Sequence, residues 1–237
     1  MSSPNSTHLN TPDESRAPIY LFVDESGTSA SDPLTLVGVT AFRDIERAES
    51  EIAYAYQRAL GDVSLWPNVE KRRTFASVGF HFTEDSESVR ASMLGALGLL
   101  EFRAYVAYST NDPSQSTSDK LTTMYGTLLS SVLARYRDSD ITLVFEENSE
   151  MDPLYGKIWQ SLLESVEGLD SARAYVGTKA APCLAATDYV LGVTRVYLRG
   201  APRDFEENRY VALGANLAYL IDFDDDVHLG GTRHPIL

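Results

Sequence analysis

The sequence predicts an α/β protein with a mixed sheet. Two unbroken, β-prone apolar runs, Ile19–Val23 and Ile141–Phe145, read as strands buried on both faces. A second extended run, Leu34–Phe42, follows the first across a short turn sequence and reads as its hairpin partner. From residue 44 onward, segments of helical periodicity alternate with strands. The chain has 237 residues, 43% hydrophobic and 23% charged, which suits one domain with extensions and a substantial core.

In chain order, residues 1–17 are rich in Ser, Thr, Pro and Asn and read as a disordered tail. Pro18 precedes the first strand, where its missing N–H costs the ladder nothing. That strand ends at Asp24-Glu25-Ser26-Gly27, a turn sequence. Asp44 can cap a helix to about Leu60, along which Ile45, Glu49, Ile52 and Tyr56 step at helical spacing. Residues 61–84 read as irregular, with a basic trio at Lys71-Arg72-Arg73. Asp85 is the expected cap of a helix over 86–100, and Phe102–Tyr108 alternates as a strand. Residues 119–136 carry a helical stripe of Leu121, Met124, Tyr125, Leu128, Leu129, Val132 and Leu133. Asp152-Pro153 signals a helix start, a cap followed by proline. A short strand at 172–176 and a helix over 182–199 follow. Residues 207–221 fit helix or strand, and 222–237 read as an acidic tail.

A hairpin followed by β–α units is the order of a ribonuclease H-like mixed sheet flanked by helices, here a single domain over 18–221. No stretch reaches the roughly 20 apolar residues that cross a bilayer, and the N-terminus lacks the basic and apolar regions of a secretory signal. One cysteine, Cys183, excludes an internal disulfide framework and a multi-cysteine zinc site, so a reducing, cytoplasmic setting is the expectation. The net charge of −14 disfavours a protein that coats nucleic acid by charge alone; a polyanion ligand needs a local basic patch or bound cations.

Ligands of α/β sheets gather outside the carboxyl ends of the strands. Two apolar strands end directly in acids there: Asp24 with Glu25, and Glu146 with Glu147. Asp188 is the one acid in the otherwise apolar helix 183–198, and an unpaired carboxylate in such surroundings costs several kcal/mol or takes a proton. Two partners are open to it. Arg195, two turns on, would make a structural ion pair; alternatively Asp188 points at Asp24 and Glu146 and shares a divalent ion with them. Converging carboxylates form an all-oxygen donor set suited to Mg²⁺ or Mn²⁺, with a metal-activated water attacking phosphorus. On this reading Asp24, Glu146 and Asp188 are ligands within one ion's reach. Glu25 or Glu147 is a further ligand or water-positioning base, and Arg195 and Arg199 contact the phosphate backbone. Lys71-Arg72-Arg73 serves as a solvated surface or a more distant phosphate contact. His81, between Phe80 and Phe82, is either packed and satisfied by backbone or close enough to the cleft to position or protonate the leaving group.

Several segments, in order, resemble the bacterial domain of unknown function 3800, a ribonuclease H-like family. They are Tyr20–Gly27, Phe80–Arg90, Asp119–Tyr125, Leu143–Glu146 and Thr178–Gly192, spanning about residues 18–200. The resemblance implies acidic-site roles for Asp24, Glu146 and Asp188, and it draws in His81, Arg90 and Lys179, the last as a phosphate contact. The chain departs from the family pattern at Tyr108-Ser109, where a lysine often closes the strand, and at Ala186, where a glutamine is frequent.

Other chemistries fit less well. Asp24-x-x-Gly27-Thr28 is similar to the first motif of aspartate-nucleophile phosphatases, but Ser26 occupies the place of their acid. Gly27–Ser31 lacks the lysine and glycine spacing of a P-loop. The expectation is therefore a divalent-metal-dependent nuclease or related phosphoryl-transfer enzyme acting on DNA or RNA. The alternative is a catalytically weak or inactive module of the same fold that binds or regulates a partner protein.

Overall fold

The computed structural model describes residues 16–29, 32–110, 116–178, 181–200, 213–225 and 227–230. The expected N-terminal tail lies outside them apart from Arg16 and Ala17, as do Lys179 and residues 231–237.

Among the described residues the strands are β1 (Pro18–Ser26), β2 (Leu34–Phe42), β3 (Arg103–Thr110), β4 (Asp140–Glu146), β5 (Arg173–Gly177), β6 (Leu217–Asp222) and β7 (Val227–Gly230). They form one sheet in the order β5-β4-β1-β2-β3-β6-β7. β1, β2 and β3 make an antiparallel meander. β4 adds parallel to β1, and β5 parallel to β4. A three-strand meander extended on its first strand by two parallel strands is the ribonuclease H-like arrangement that the order of elements predicts. On the other edge β6 runs parallel to β3 and β7 antiparallel to β6.

The helices are α1 (Ile45–Gly61), α2 (Val69–Val78), α3 (Glu87–Leu97), α4 (Thr117–Arg135), α5 (Asp152–Ser165) and α6 (Pro182–Leu198). They divide between the two faces of the sheet. Ile19, Leu21 and Val23 point from β1 to the side packed with α4 and α5, while Phe22 points to the side covered by α1, α3 and α6. That alternation, apolar on both faces, explains why β1 reads as a continuous hydrophobic run. None of the described helices is long and apolar enough to cross a membrane.

Four local expectations change. Residues 69–78 are helical, capped by Asn68, whose side chain accepts from the Lys71 N–H at 2.8 Å. Only Phe75 of that helix is buried, so no apolar stripe marks it. Ser86, not Asp85, caps α3, which leaves Asp85 for another role. Met151 occupies the cap of α5, and Asp152 accepts from the Asn148 N–H at 2.9 Å instead. The acidic end is no tail through residue 230: Asp222 closes β6, and Asp224 accepts from the Thr110 N–H and Oγ1 at 2.7 Å each. These carboxylates cap the end of β3 across more than 100 residues of sequence, a pairing no local pattern announces.

Candidate active site

β1 and β4 lie side by side and parallel, with Val23 opposite Phe145, so Asp24 and Glu146 emerge at the same end of the sheet. Both are buried, at 6% and 5% exposure. α6 packs over β1 and β2 on one face of the sheet. Its Thr187 hydroxyl lies 2.7 Å from that of Thr40 and donates to the Phe22 carbonyl at 3.3 Å. Gly38 on β2 leaves room for Leu191, whose Cδ2 stands 2.8 Å from where a β-carbon would be. These contacts seat α6 with Asp188, next to Thr187, facing the strand ends.

The Asp24 carboxyl senses the other two acids. Burial first, then the charges of Glu146 and Asp188, push the Asp24 carboxyl well above its ordinary pKa; Glu25 adds to the shift. Asp188 and Glu146 also line one small cleft with Phe80, His81, Leu184 and Ala185, holding about 10 Å³ of free space. That is room for roughly one water-sized particle. Among the described residues, no three His, Cys, Asp or Glu side chains form a ready-made ligand cage. The carboxylates are thus coupled through Asp24 without being closed around a common point. Their donor set is oxygen only and their mutual repulsion favours a divalent cation, which fits Mg²⁺ or Mn²⁺.

Glu25 is held firmly. Its carboxylate accepts from the Tyr125 hydroxyl and from the Asn148 side-chain amide. Burial and the nearby Glu25 charge push the Tyr125 phenol up, so it stays a donor. Glu147 is exposed, and its N–H donates to the Gly177 carbonyl at 2.9 Å.

Asp188 does not pair with Arg195. Its Oδ2 accepts from the Phe82 N–H at 2.7 Å and lies 3.9 Å from His81 Nδ1. Arg195 instead contacts Asp32 and the Ser26 hydroxyl, the latter at 3.1 Å, and Arg199 also contacts Asp32. The two arginines expected on phosphate are therefore engaged by a carboxylate of the β1–β2 connection.

The segment 80–85 is bolted to α6 by partners that local sequence reading misses. Asp85 Oδ2 accepts from the His81 N–H at 2.9 Å and from the Tyr189 hydroxyl. Arg90 Nε donates to the Phe82 carbonyl at 2.7 Å, and its guanidinium lies 4.5 Å from the Phe82 ring centroid. His81 lines the cleft with its Nδ1 3.0 Å from Thr83 Oγ1, and its backbone N–H is satisfied by Asp85. The nearest local signal for this arrangement is an acid, Asp85, beside a good cap residue, Ser86. It leaves Asp85 free of the capping role but does not name Tyr189 as its partner.

No protein-family model matches the sequence, and no curated protein matches it significantly. Solved structures similar to it include three ribonuclease structures of low identity. One is a chain of the PCNA:RNase HII complex from Archaeoglobus fulgidus, at 14% identity and TM-score 0.46, covering 84% of this chain and 82% of that one. A Bst-RNase HIII variant is 12% identical with TM-score 0.46, over 84% of this chain but 59% of its own. The ribonuclease H2 of Pyrococcus horikoshii OT3 is 11% identical with TM-score 0.35, over 81% and 85%. No residue correspondence and no activity follow from similarity at this level.

Asp85 also carries a pH signature. Burial, only partly offset by the hydrogen bonds from Tyr189 and His81, raises its pKa from 3.8 to about 6. The folded state then holds a proton that the unfolded state has released, so this contribution to stability is full below about pH 4 and fades as pH rises through about 6. Two pKa units correspond to about 3 kcal/mol. Asp85→Asn, whose Oδ1 can accept both bonds, is expected to remove that slope and to raise stability at pH 7. Denaturant unfolding between pH 4 and pH 8 measures it, and a parallel pH dependence in the two proteins contradicts the assignment.

Proposed function

We propose that the chain hydrolyses phosphodiester bonds of nucleic acid with a divalent ion, Mg²⁺ or Mn²⁺, held by Asp24, Glu146 and Asp188. One observation carries the reading: carboxylates from two adjacent strand ends and a covering helix crowd a buried Asp24 until its proton affinity rises. Bound there, the ion supplies an activated water and neutralises charge on the phosphate. Glu25, fixed by Tyr125 and Asn148, serves as a further ligand or orients the attacking water. His81, on the cleft wall, is placed to position or protonate the leaving group. The ordered resemblance to the domain 3800 family supports the same assignment. The buried, lone Cys183 is in keeping with a reducing cytoplasm.

Titration with Mn²⁺ followed by thermal unfolding tests the site. Wild-type protein is expected to gain stability by mass action, about 2.7 kcal/mol at a hundredfold excess over Kd, and Asp24→Asn to lose that gain. A wild type indifferent to millimolar Mn²⁺ contradicts the proposal.

A second reading, a non-catalytic module that binds a partner protein, is favoured by one feature. Arg195 and Arg199 are both engaged by Asp32, which leaves the acidic cleft without their help in attracting phosphate. In that case the Mn²⁺ response is absent.

A further inference from the structure

Beside the acid cleft lies a second cavity of about 280 Å³. It is lined by α1 (Ile52, Ala53, Tyr56), the end of α2 with Gly79 and Phe80, and the start of α6 (Pro182, Ala185). Phe80 and Ala185 line both spaces, so the two share a wall. The cavity is walled by aromatic rings held in place. Tyr56 stacks on Phe75 at 5.0 Å between centroids, and Phe80 meets Phe75 and Tyr189 edge-on at 5.1 and 5.9 Å. The Tyr56 hydroxyl is tied to the Ala76 carbonyl at 3.1 Å. Polar groups stand at its edge, where Ser77 is exposed. Arg73, also exposed, lies one turn before Ala76 and Ser77 on the same face of α2.

We propose that this cavity takes an unpaired nucleobase of the substrate, and that the chain therefore acts on single-stranded nucleic acid. The inference rests on the nuclease reading above and narrows it. A group that enters this space while its neighbour occupies the acid cleft must be flat, largely apolar and attached within a few bonds to a phosphate. A nucleobase meets all three conditions. Its faces pack on aromatic rings, an interaction that tolerates any base because every base has a π-face. Free space of this size lies near the lower end of ligand pockets, which suits one ring system and not a larger ligand. A base stacked and paired in a duplex cannot reach such a recess without being extruded, so a single strand has the advantage. Arg73 is placed for the phosphate leading away from that base.

Filling the cavity from exposed positions tests this. Ala53→Phe and Ser77→Trp each place a ring in the space without removing a buried group. Both should keep the Mn²⁺-dependent thermal shift of the wild type. Cleavage of a short fluorescent single strand should show a KM raised about tenfold, and the wild type should prefer that strand to the same sequence in a duplex. Binding is read separately by fluorescence anisotropy on Asp24→Asn, where hydrolysis is blocked. Adding either filling substitution should weaken single-strand binding by about tenfold. Unchanged binding with the cavity filled, or equal binding of duplex and single strand, overturns the cavity assignment even if cleavage is observed. A wild type with neither Mn²⁺ shift nor cleavage overturns the nuclease reading, and the anisotropy measurement still decides the cavity.

Discussion

Asp188→Asn is expected to reduce Mn²⁺-dependent cleavage by at least about a thousandfold while the protein folds as well as before, or better. The two halves of this result have separate causes. An ion held by three carboxylates contributes several kcal/mol of transition-state stabilisation, and each 1.36 kcal/mol lost is a factor of ten in rate. Folding is spared because Asn Oδ1 can still accept from the Phe82 N–H, now made at 2.7 Å. It gains because one of the charges that raises the Asp24 pKa is gone. Measured together, single-turnover cleavage and unfolding free energy separate the roles. A residue needed only for packing would lose stability and activity in parallel. A variant that retains full cleavage would remove Asp188 from the ligand set.

Gly192→Ala is expected to destabilise the protein by about 1–3 kcal/mol, the usual cost of overpacking a filled core. A β-carbon at this position of α6 would stand 2.2 Å from two atoms of the Phe82 ring, which is itself buried. Phe82 cannot yield freely. Its N–H is held by Asp188, its carbonyl by Arg90 Nε, and its ring lies edge-on to Tyr189 at 5.4 Å. Displacing it moves the amide that orients the Asp188 carboxylate. Gly192→Ala should therefore also weaken Mn²⁺ binding, although Gly192 has no side chain to offer an ion. Gly95→Ala is the control, because a β-carbon there meets nothing within 4 Å and the helical site favours alanine. If Gly192→Ala leaves both stability and metal affinity untouched, the packing of Phe82 against α6 is not what aims Asp188.

The acids of the site were legible because each stands out against an apolar background. Asp24 and Glu146 each follow an unbroken apolar run, Ile19–Val23 and Ile141–Phe145, and Asp188 interrupts a helix with eleven buried residues. The mixed α/β class followed from the hairpin and the alternation of elements, whereas β6 and β7 lie where the sequence fits helix or strand and where it reads as a tail. What escaped the sequence depends on contacts between distant residues. Asp85 and Ser86 are adjacent and both are competent caps, so only the fold reveals that Asp85 instead serves Tyr189, 104 residues away. Arg195 has two acids in play, Asp188 nearby in sequence and Asp32 far from it, and helical spacing cannot weigh the distant one. α2 was hidden because it buries a single side chain, Phe75, and so lacks periodicity. The acidic stretch from Asp222 looked solvated because local composition does not reveal the unpaired donors at the end of β3.

Asp32 has a consequence for the energetics of ligand entry. By gripping Arg195 and Arg199 it staples the turn after β1 to the far end of α6, while Thr40 and Thr187 hold the middle of that helix to the sheet. The strand bearing Asp24 and the rod bearing Asp188 are thereby locked as one rigid piece during folding. The backbone that carries these two acids is thus ordered before any ion arrives, so calorimetric association should lose conformational entropy mainly in closing the carboxylate side chains around the ion.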